Sequence, residues 1–300
     1  MTQVSAALVK QLRDKTGAGM MDCKTALTET GGDIEEAVDW LRKKGVASAA
    51  KKAGRVAAEG LVGVFVEGNR GALVEINCET DFVGRNEEFQ GFVASCAKLA
   101  LDAEGDLERL AGMAYPDLSG SVQEKLTSMI ATIGENMNLR RTAMVTAGQG
   151  VVASYVHGAV APGLGKIGVL VGLDSGGDAE RLQGIGKNLA MHISFANPQS
   201  VDIGSVDPAA LERERNVLSE QARESGKPEE IIAKMVEGRL RKYYEEIVLL
   251  EQPYSGPPSA DIESEAKIGK TLEKLAKDLG GSLAVSGFAR FQLGEGVDKD

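Results

Sequence analysis

Apolar positions along this chain recur at two periods, and the switches between them divide it into segments. From Ser5 to residue 45 the spacing is helical. Ser5 is placed to cap a first helix with Leu8 and Leu12 on one face, and Gly17 to stop it. Met20 to Thr28 predicts a short second helix whose apolar set is Met20, Met21, Ala26 and Leu27. Gly31-Gly32 turns the chain, and Asp33 with Glu36 fits a capping box for a third helix carrying Ile34, Val38 and Leu41. Val46 to Glu59, with Lys51, Lys52 and Arg55 among alanines, predicts a helical or loosely ordered linker with a solvated basic face.

The period then changes to two. LVGVFVEG and GALVEIN predict strands reversing through Glu67 to Gly71, and Asn86 can cap a helix with Phe89, Phe92, Val93, Cys96 and Leu99 at helical spacing. A polar connection over 102–119 leads to an expected helix from Val122 to Leu139, with Leu126, Met129, Ile130, Ile133 and Met137 on one face. VVASYVHGA, a Gly/Pro loop, KIGVLVGLDS and a helix with Leu182, Ile185, Leu189 and Ile193 repeat the order strand, turn, strand, helix. One supersecondary unit is therefore used twice. Pro208 to Tyr244 predicts an inserted helical hairpin with its tip at Gly226-Lys227-Pro228 and arms of about 30 Å. Gly238 in its second arm points to a close approach there. Beyond a Pro/Gly loop at 252–259, a helix over Ile262–Leu279 and a strand over Ser282–Leu293 close the chain.

Between the first unit's second strand and its helix lies Asn77 to Phe89, NCETDFVGRNEEF, which sets Phe82 beside Asp81 in a turn. Thr80 or Asp81 can tie that turn down. Phe82 either plugs the local core, as most aromatic residues do, or reaches outward as a contact. The second unit carries Gly172-Leu173-Asp174-Ser175 at the corresponding place and manages without the aromatic, so the two readings stand level.

A net charge of -10 with pI near 5.0 argues against a nucleic-acid binder, and 4% aromatic residues leave few platforms for stacking bases. The first 56 residues hold 10 Lys/Arg against 7 Asp/Glu, a mildly basic head suited to an acidic protein surface. Cys23, Cys78 and Cys96 have no paired spacing, so neither a zinc site nor a disulfide framework is expected, and a reducing compartment fits. The start MTQVSAALVKQLRDK lacks a signal peptide's apolar run, and no stretch approaches about 18 apolar residues, so a soluble protein of the cytoplasm or an organellar matrix is expected.

Catalytic motifs test negatively. Gly163-Leu164-Gly165-Lys166-Ile167-Gly168 has the glycine spacing of a dinucleotide loop, but a strand follows where a helix must receive the pyrophosphate. SEAKIGKT (264–271) lacks the first glycine of a phosphate loop and has no strand ahead of it. His157 and His192 are the two histidines, and neither lies near a nucleophile elbow; His157 reads as a surface residue and His192 as a satisfied core or interface one. Glu79 and Asp81 lie two apart, on opposite sides if extended. A hydrolase using Asp81 and His157 is the weakest reading and needs those side chains within about 3 Å or one water of each other.

Six strings in order, TGAGMMDCKTAL (16–27), NCETDFV (77–83), IGENMNLRR (133–141), LAMHI (189–193), KMVEGRL (234–240) and GFARF (287–291), give the chain a full-length resemblance to the bacterial elongation factor Ts family, nucleotide-exchange partners of the GTPase elongation factor Tu. The resemblance implies an α+β protein: a three-helix ubiquitin-associated-like docking domain over 1–55 and a core N-subdomain over 56–145. It further implies a C-subdomain built from 146–207 and 247–300, with antiparallel sheets throughout, and an inserted helical hairpin over 208–246. It implies that Asp81 and Phe82, held by Thr80 and Val83, disturb the GTPase near its Mg²⁺ and phosphate site. Met20, Met21, Cys23 and Lys24 become docking candidates, and His157 a further one. It implies elongation factor Tu as partner, a homodimer or two-to-two complex as a further possibility, and no catalysis, cofactor, metal, nucleic acid or membrane. The rival class is an adaptor or chaperone acting through the N-terminal helices, for which the Phe82 loop is dispensable. Two departures stand out: the 159–166 loop is longer than the first unit's turn, which puts that loop's contacts in doubt, and Gly84 stands where alanine is common.

Overall fold

The computed structural model describes residues 4–116, 120–224 and 226–298. Helices α1 (Ala6–Thr16), α2 (Met20–Glu29) and α3 (Ile34–Lys52) open the chain, and their ends are set locally. The Ser5 hydroxyl accepts from the Leu8 N–H, Gly17 at φ +69° returns its N–H to the Arg13 carbonyl, and the Asp33 carboxylate accepts from the Glu36 N–H. Val9, Leu12, Cys23, Ala26, Leu27 and Ala37 are this module's own core. Met20 and Met21, expected in the apolar set of α2, lie outside it.

Two antiparallel sheets follow. β1 (Glu59–Glu67) and β2 (Arg70–Cys78) form a tight hairpin closed by Glu67 opposite Arg70. β3 (Met137–Thr146) pairs with β2, and the short β5 (Leu164–Gly165) pairs with β1, giving the order β3-β2-β1-β5. β4 (Gly150–His157), β6 (Ile167–Asp174) and β7 (Ala284–Gln292) make the second sheet in the order β4-β6-β7. Side-chain alternation sends Ala72, Val74 and Ile76 toward α4 (Glu87–Asp102), whose Phe89, Phe92, Val93 and Cys96 complete one core. Val62, Val64 and Leu73 face the other way and meet Val152, Leu170 and Phe291 of the second sheet. α7 (Ala179–Ala196) covers that sheet's outer side through Leu182, Ile185, Leu189 and Ile193. Helix, sheet, sheet and helix are thus stacked in that order, and β2, covered on both faces, reads as a nearly continuous apolar run.

In the chain, α5 (Leu107–Gly112) and α6 (Val122–Ile133) follow α4 ahead of β3; α8 (Pro208–Arg223) and α9 (Glu229–Ile247) form the hairpin, and α10 (Ile268–Asp278) precedes β7. The hairpin arms meet through Leu218, Ala222, Ile232, Val236 and Leu240. A Cβ added at Gly238 would meet nothing within 4 Å, so the close approach expected there does not occur.

Four local expectations are corrected. The helix expected over 122–139 ends at Ile133, because Gly134 takes φ +89° and caps it with its N–H on the Ile130 carbonyl; Met137 begins β3, which the helical spacing concealed. The helix expected from Ile262 begins at Ile268, the preceding residues being held as a loop by Tyr254 N–H to the Ala266 carbonyl and Ile268 N–H to the Gln252 carbonyl. The polar connection contains α5, capped by Asp106 on the Arg109 N–H, and residues 117–119 of it lie outside the described residues; the linker from Val46, expected as helical or loosely ordered, is helical to Lys52 as the end of α3. The long 159–166 loop supplies β5, so its extra length ties the second unit to the first sheet. Glycines here serve close packing: a Cβ would stand 2.8 Å from the Val64 carbonyl at Gly163, 2.5 Å from Val156 Cγ1 at Gly165 and, in β6 just beyond the loop, 2.7 Å from Val62 Cγ1 at Gly168.

Candidate functional site

β2 ends at Cys78 and α4 begins at Glu87, and the intervening residues form a projection with a fixed foot. Val83–Arg85 make one 3-10 turn, closed by Arg85 N–H to the Phe82 carbonyl at 3.1 Å and Asn86 N–H to the Val83 carbonyl at 2.9 Å. Asn86 then caps α4 by accepting from the Phe89 N–H at 3.1 Å. Val83 is buried in the same core as Leu61 and Phe89, which anchors the turn from below. Gly84 is buried too, but an added Cβ would sit 3.4 Å from the Gly60 carbonyl, so alanine nearly fits there. At the crest Phe82 is 74% exposed, which removes the core-plug reading. Asp81 beside it is exposed and accepts from Arg85 Nη2 at 3.0 Å.

The stem of the projection is tied to the turn between α6 and β3 by two exchanged carboxylates. Glu135 accepts from the Thr80 N–H at 3.0 Å through one oxygen and from the Thr80 hydroxyl at 2.7 Å through the other. Glu79 in return accepts from the Asn136 N–H at 2.5 Å, while the Asn136 side-chain amide donates to the Arg55 carbonyl at 2.7 Å. Glu79 is therefore a structural acceptor. Glu135 and Asn136 escaped the sequence reading because the helix expected over 122–139 ran through them. The usable signal was the glycine at 134 followed by two polar residues, a helix stop.

α6 also meets the N-terminal module. Arg42 of α3 pairs with Glu124 near the start of α6, and a Cβ added at Gly45 of α3 would lie 3.7 Å from the Ala131 methyl. Ser121 and Glu124 form the capping box that fixes α6 at its N-terminus. One helix thus touches both the module that carries the methionines and the turn that holds Thr80.

Met20 and Met21 are 61% and 72% exposed on α2, and Lys24 is exposed on the same helix. Cys23 corrects its assignment as a contact candidate: it is fully buried in the module core, its thiol lying 3.6 Å from the Ala18 carbonyl, and only its neighbours face solvent. His157 is exposed at the end of β4, with Nδ1 3.2 Å from the Tyr155 hydroxyl. The candidates therefore fall into three groups, on α2, on the 80–83 projection and at the end of β4.

Burial governs the titration of the cysteines and of the buried histidine. Burial pushes the Cys78 thiol up to about 12, with the Glu135 and Glu59 charges adding to it, and burial alone does the same for Cys96; the Cys23 thiol is also raised by burial. Such thiols stay protonated and inert. His192 is buried against Gln252 Oε1 at 2.8 Å and Ser255 Oγ at 3.1 Å, and burial lowers its pKa while the Gln252 contact opposes that shift. Among the described residues no hydrogen bond joins Asp81 to His157, and no group of three or more His, Cys, Asp or Glu could hold a metal ion. No helix among them is long and apolar enough to cross a membrane.

Comparison with known proteins bears on the whole chain. Residues 79–295 match the model of the family Elongation factor TS. Curated proteins named elongation factor Ts are similar from end to end. That of Rhodospirillum centenum is 58% identical over 299 residues, covering 100% of this chain and 95% of the relative. That of Rhodospirillum rubrum is 59% identical over 301 residues, covering 100% and 96%. That of Paramagnetospirillum magneticum is 58% identical over 300 residues, covering 100% and 94%.

Proposed function

The chain belongs to the elongation factor Ts family of translation elongation factors, and from that premise we propose that it binds GDP-bound elongation factor Tu and promotes GDP release, so that GTP can rebind. The projection at Thr80–Val83 is the acting part. A GTPase holds its nucleotide through a phosphate cradle and a bridging Mg²⁺, so a wedge that displaces either weakens both. Phe82 supplies the apolar wedge and Asp81 a charge beside it. Thr80 and Val83 hold the pair in place, from the stem and from the core below.

Met20, Met21 and Lys24 form a separate docking point on the GTPase, with His157 as a subsidiary one. Methionine suits such a surface because its flexible, polarizable side chain adapts to the opposing groove. The protein makes and breaks no covalent bond in this account. Binding free energy does the work, and because coupling is reciprocal, nucleotide that returns to the GTPase loosens the factor in turn. The place of action is the cytoplasm, where translation runs.

The observation that carries this reading is Phe82, a large aromatic side chain held 74% exposed on a stem that is hydrogen-bonded on both sides. Fluorescent GDP preloaded on elongation factor Tu is released faster on addition of this protein. Release at the spontaneous rate, at concentrations where the two proteins form a complex, would sink the proposal.

A further inference from the structure

We infer that Glu135 is the positioning residue of the Phe82 projection, setting the height and direction of the wedge through Thr80. The inference rests on the exchange reading above. Its geometric basis is a bidentate contact: the carboxylate's two oxygens take the two donors of one residue, the Thr80 N–H at 3.0 Å and hydroxyl at 2.7 Å. Two bonds to different oxygens fix orientation as well as distance, and a carboxylate acceptor makes both of them strong. Thr80 lies two positions before Phe82, and its carbonyl is held as well, by the Cys78 thiol at 3.1 Å. Every polar group of Thr80 is thereby committed.

Glu135 itself rides on a rigid support. It follows Gly134, the left-handed cap of α6, and α6 is fixed at its other end by the Ser121–Glu124 capping box and the Arg42 pair with α3. The neighbouring exchange of Glu79 with the Asn136 N–H prevents the turn from swinging away. A projecting apolar side chain needs such a support, because a loop free to move folds an exposed phenyl ring back onto the nearest apolar surface. Among the described residues no neighbouring helix turn gives a carboxylate to the connection Ser175–Asp178 between β6 and α7 in the second unit, and that connection carries no wedge.

Three variants test this: Glu135→Ala, Glu135→Gln and Thr80→Val. Each is read by amide hydrogen exchange along residues 78–90 and by stimulated GDP release titrated to saturation. Glu135→Ala is expected to speed exchange of the Thr80 amide about tenfold while β2 and α4 keep their protection. It should lower the saturating release rate about tenfold and leave the half-saturating concentration within about threefold, because docking through α2 is untouched. Glu135→Gln is expected to recover both readouts to within about threefold of the parent, since its carbonyl can accept from the Thr80 N–H while its amide donates to the hydroxyl oxygen. Thr80→Val loses the hydroxyl contact alone and should fall between parent and Glu135→Ala; it also serves if Glu135→Ala fails to fold.

Unchanged protection at Thr80 in Glu135→Ala overturns the inference. So does Glu135→Gln as slow as Glu135→Ala, which would make the carboxylate's charge a direct contact with the GTPase. If the parent accelerates release, Phe82→Ala is slow and Glu135→Ala matches the parent, the inference falls alone. If the parent itself fails to accelerate release, the exchange reading falls and takes the inference with it.

Discussion

The connection from β2 to α4 and the connection from β6 to α7 join the same elements in the same order, yet they present opposite surfaces. The second runs from Ser175 to Asp178 close to the body: Ser175 N–H meets the Gln149 carbonyl at 2.7 Å, Gly177 N–H meets the Ser175 hydroxyl at 3.2 Å, and Asp178 caps α7. The first runs from Glu79 to Asn86, also ends in a cap, and spends its extra residues lifting Phe82 away from the core. In both scaffolds the strands pack on the helix that follows them, α4 through Phe89, Phe92 and Val93 and α7 through Leu182, Ile185 and Leu189. The aromatic projection is therefore an addition to a scaffold that folds without it, which is the pattern of a binding element carried on a rigid frame.

The strongest way to break this comparison is to truncate two aromatic residues of the same loop-and-helix segment. Phe89→Ala, in the core, should cost about 3–5 kcal/mol in urea unfolding through lost transfer energy and a cavity, whereas Phe82→Ala should stay within about 1 kcal/mol of the parent. Equal losses would put Phe82 back into the folded core. The next effect separates docking from exchange. Replacing Met20 and Met21 together by Ala should raise the factor concentration for half-maximal GDP release about tenfold with the saturating rate unchanged, because truncating exposed apolar anchors removes binding alone. A lower saturating rate instead would place the methionines in the exchange step.

Asp81→Ala should reduce the stimulated rate about two- to threefold, less than loss of the ring, since an exposed charge beside an apolar anchor contributes more to approach than to hold. Raising the salt concentration should shrink the difference between this variant and the parent. The smallest effect belongs to the second unit. Burial holds the His192 imidazole below its ordinary 6.5, so as pH falls through 6.5 toward the folded-state value, the unfolded chain binds a proton that the folded one does not. Stability should fall with pH across that window and be level above it, and His192→Gln should flatten the slope measured by urea midpoints. A rise in stability toward low pH in the parent would contradict this sign.

Much of this contrast was legible in the sequence, and the gaps have physical causes. The caps at Ser5, Asp33 and Asn86 could be seen because a single side chain satisfies a nearby N–H, and the hairpins because alternation and turn residues agree. β3 was hidden because Met137 falls in helical register with Met129 and Ile133, and the stop lies in one glycine's φ. Met20 and Met21 read as apolar set or contact with equal warrant, since spacing reports a helix face and not what covers it. Phe82 fits core and contact equally by spacing, and only its exposure in the fold separates the two. The Glu135–Thr80 clamp joins residues 55 apart in the chain, and no local pattern encodes such a pairing.

The central claim is that Phe82 works on a partner and not on its own fold. Stopped-flow release of fluorescent GDP from elongation factor Tu, at saturating parent or Phe82→Ala protein of matched urea midpoint, tests it most directly. The account predicts a saturating rate at least about tenfold lower for the variant, since a buried aromatic anchor carries a disproportionate share of interface energy. A variant that folds like the parent and releases GDP at the parent's rate would contradict it.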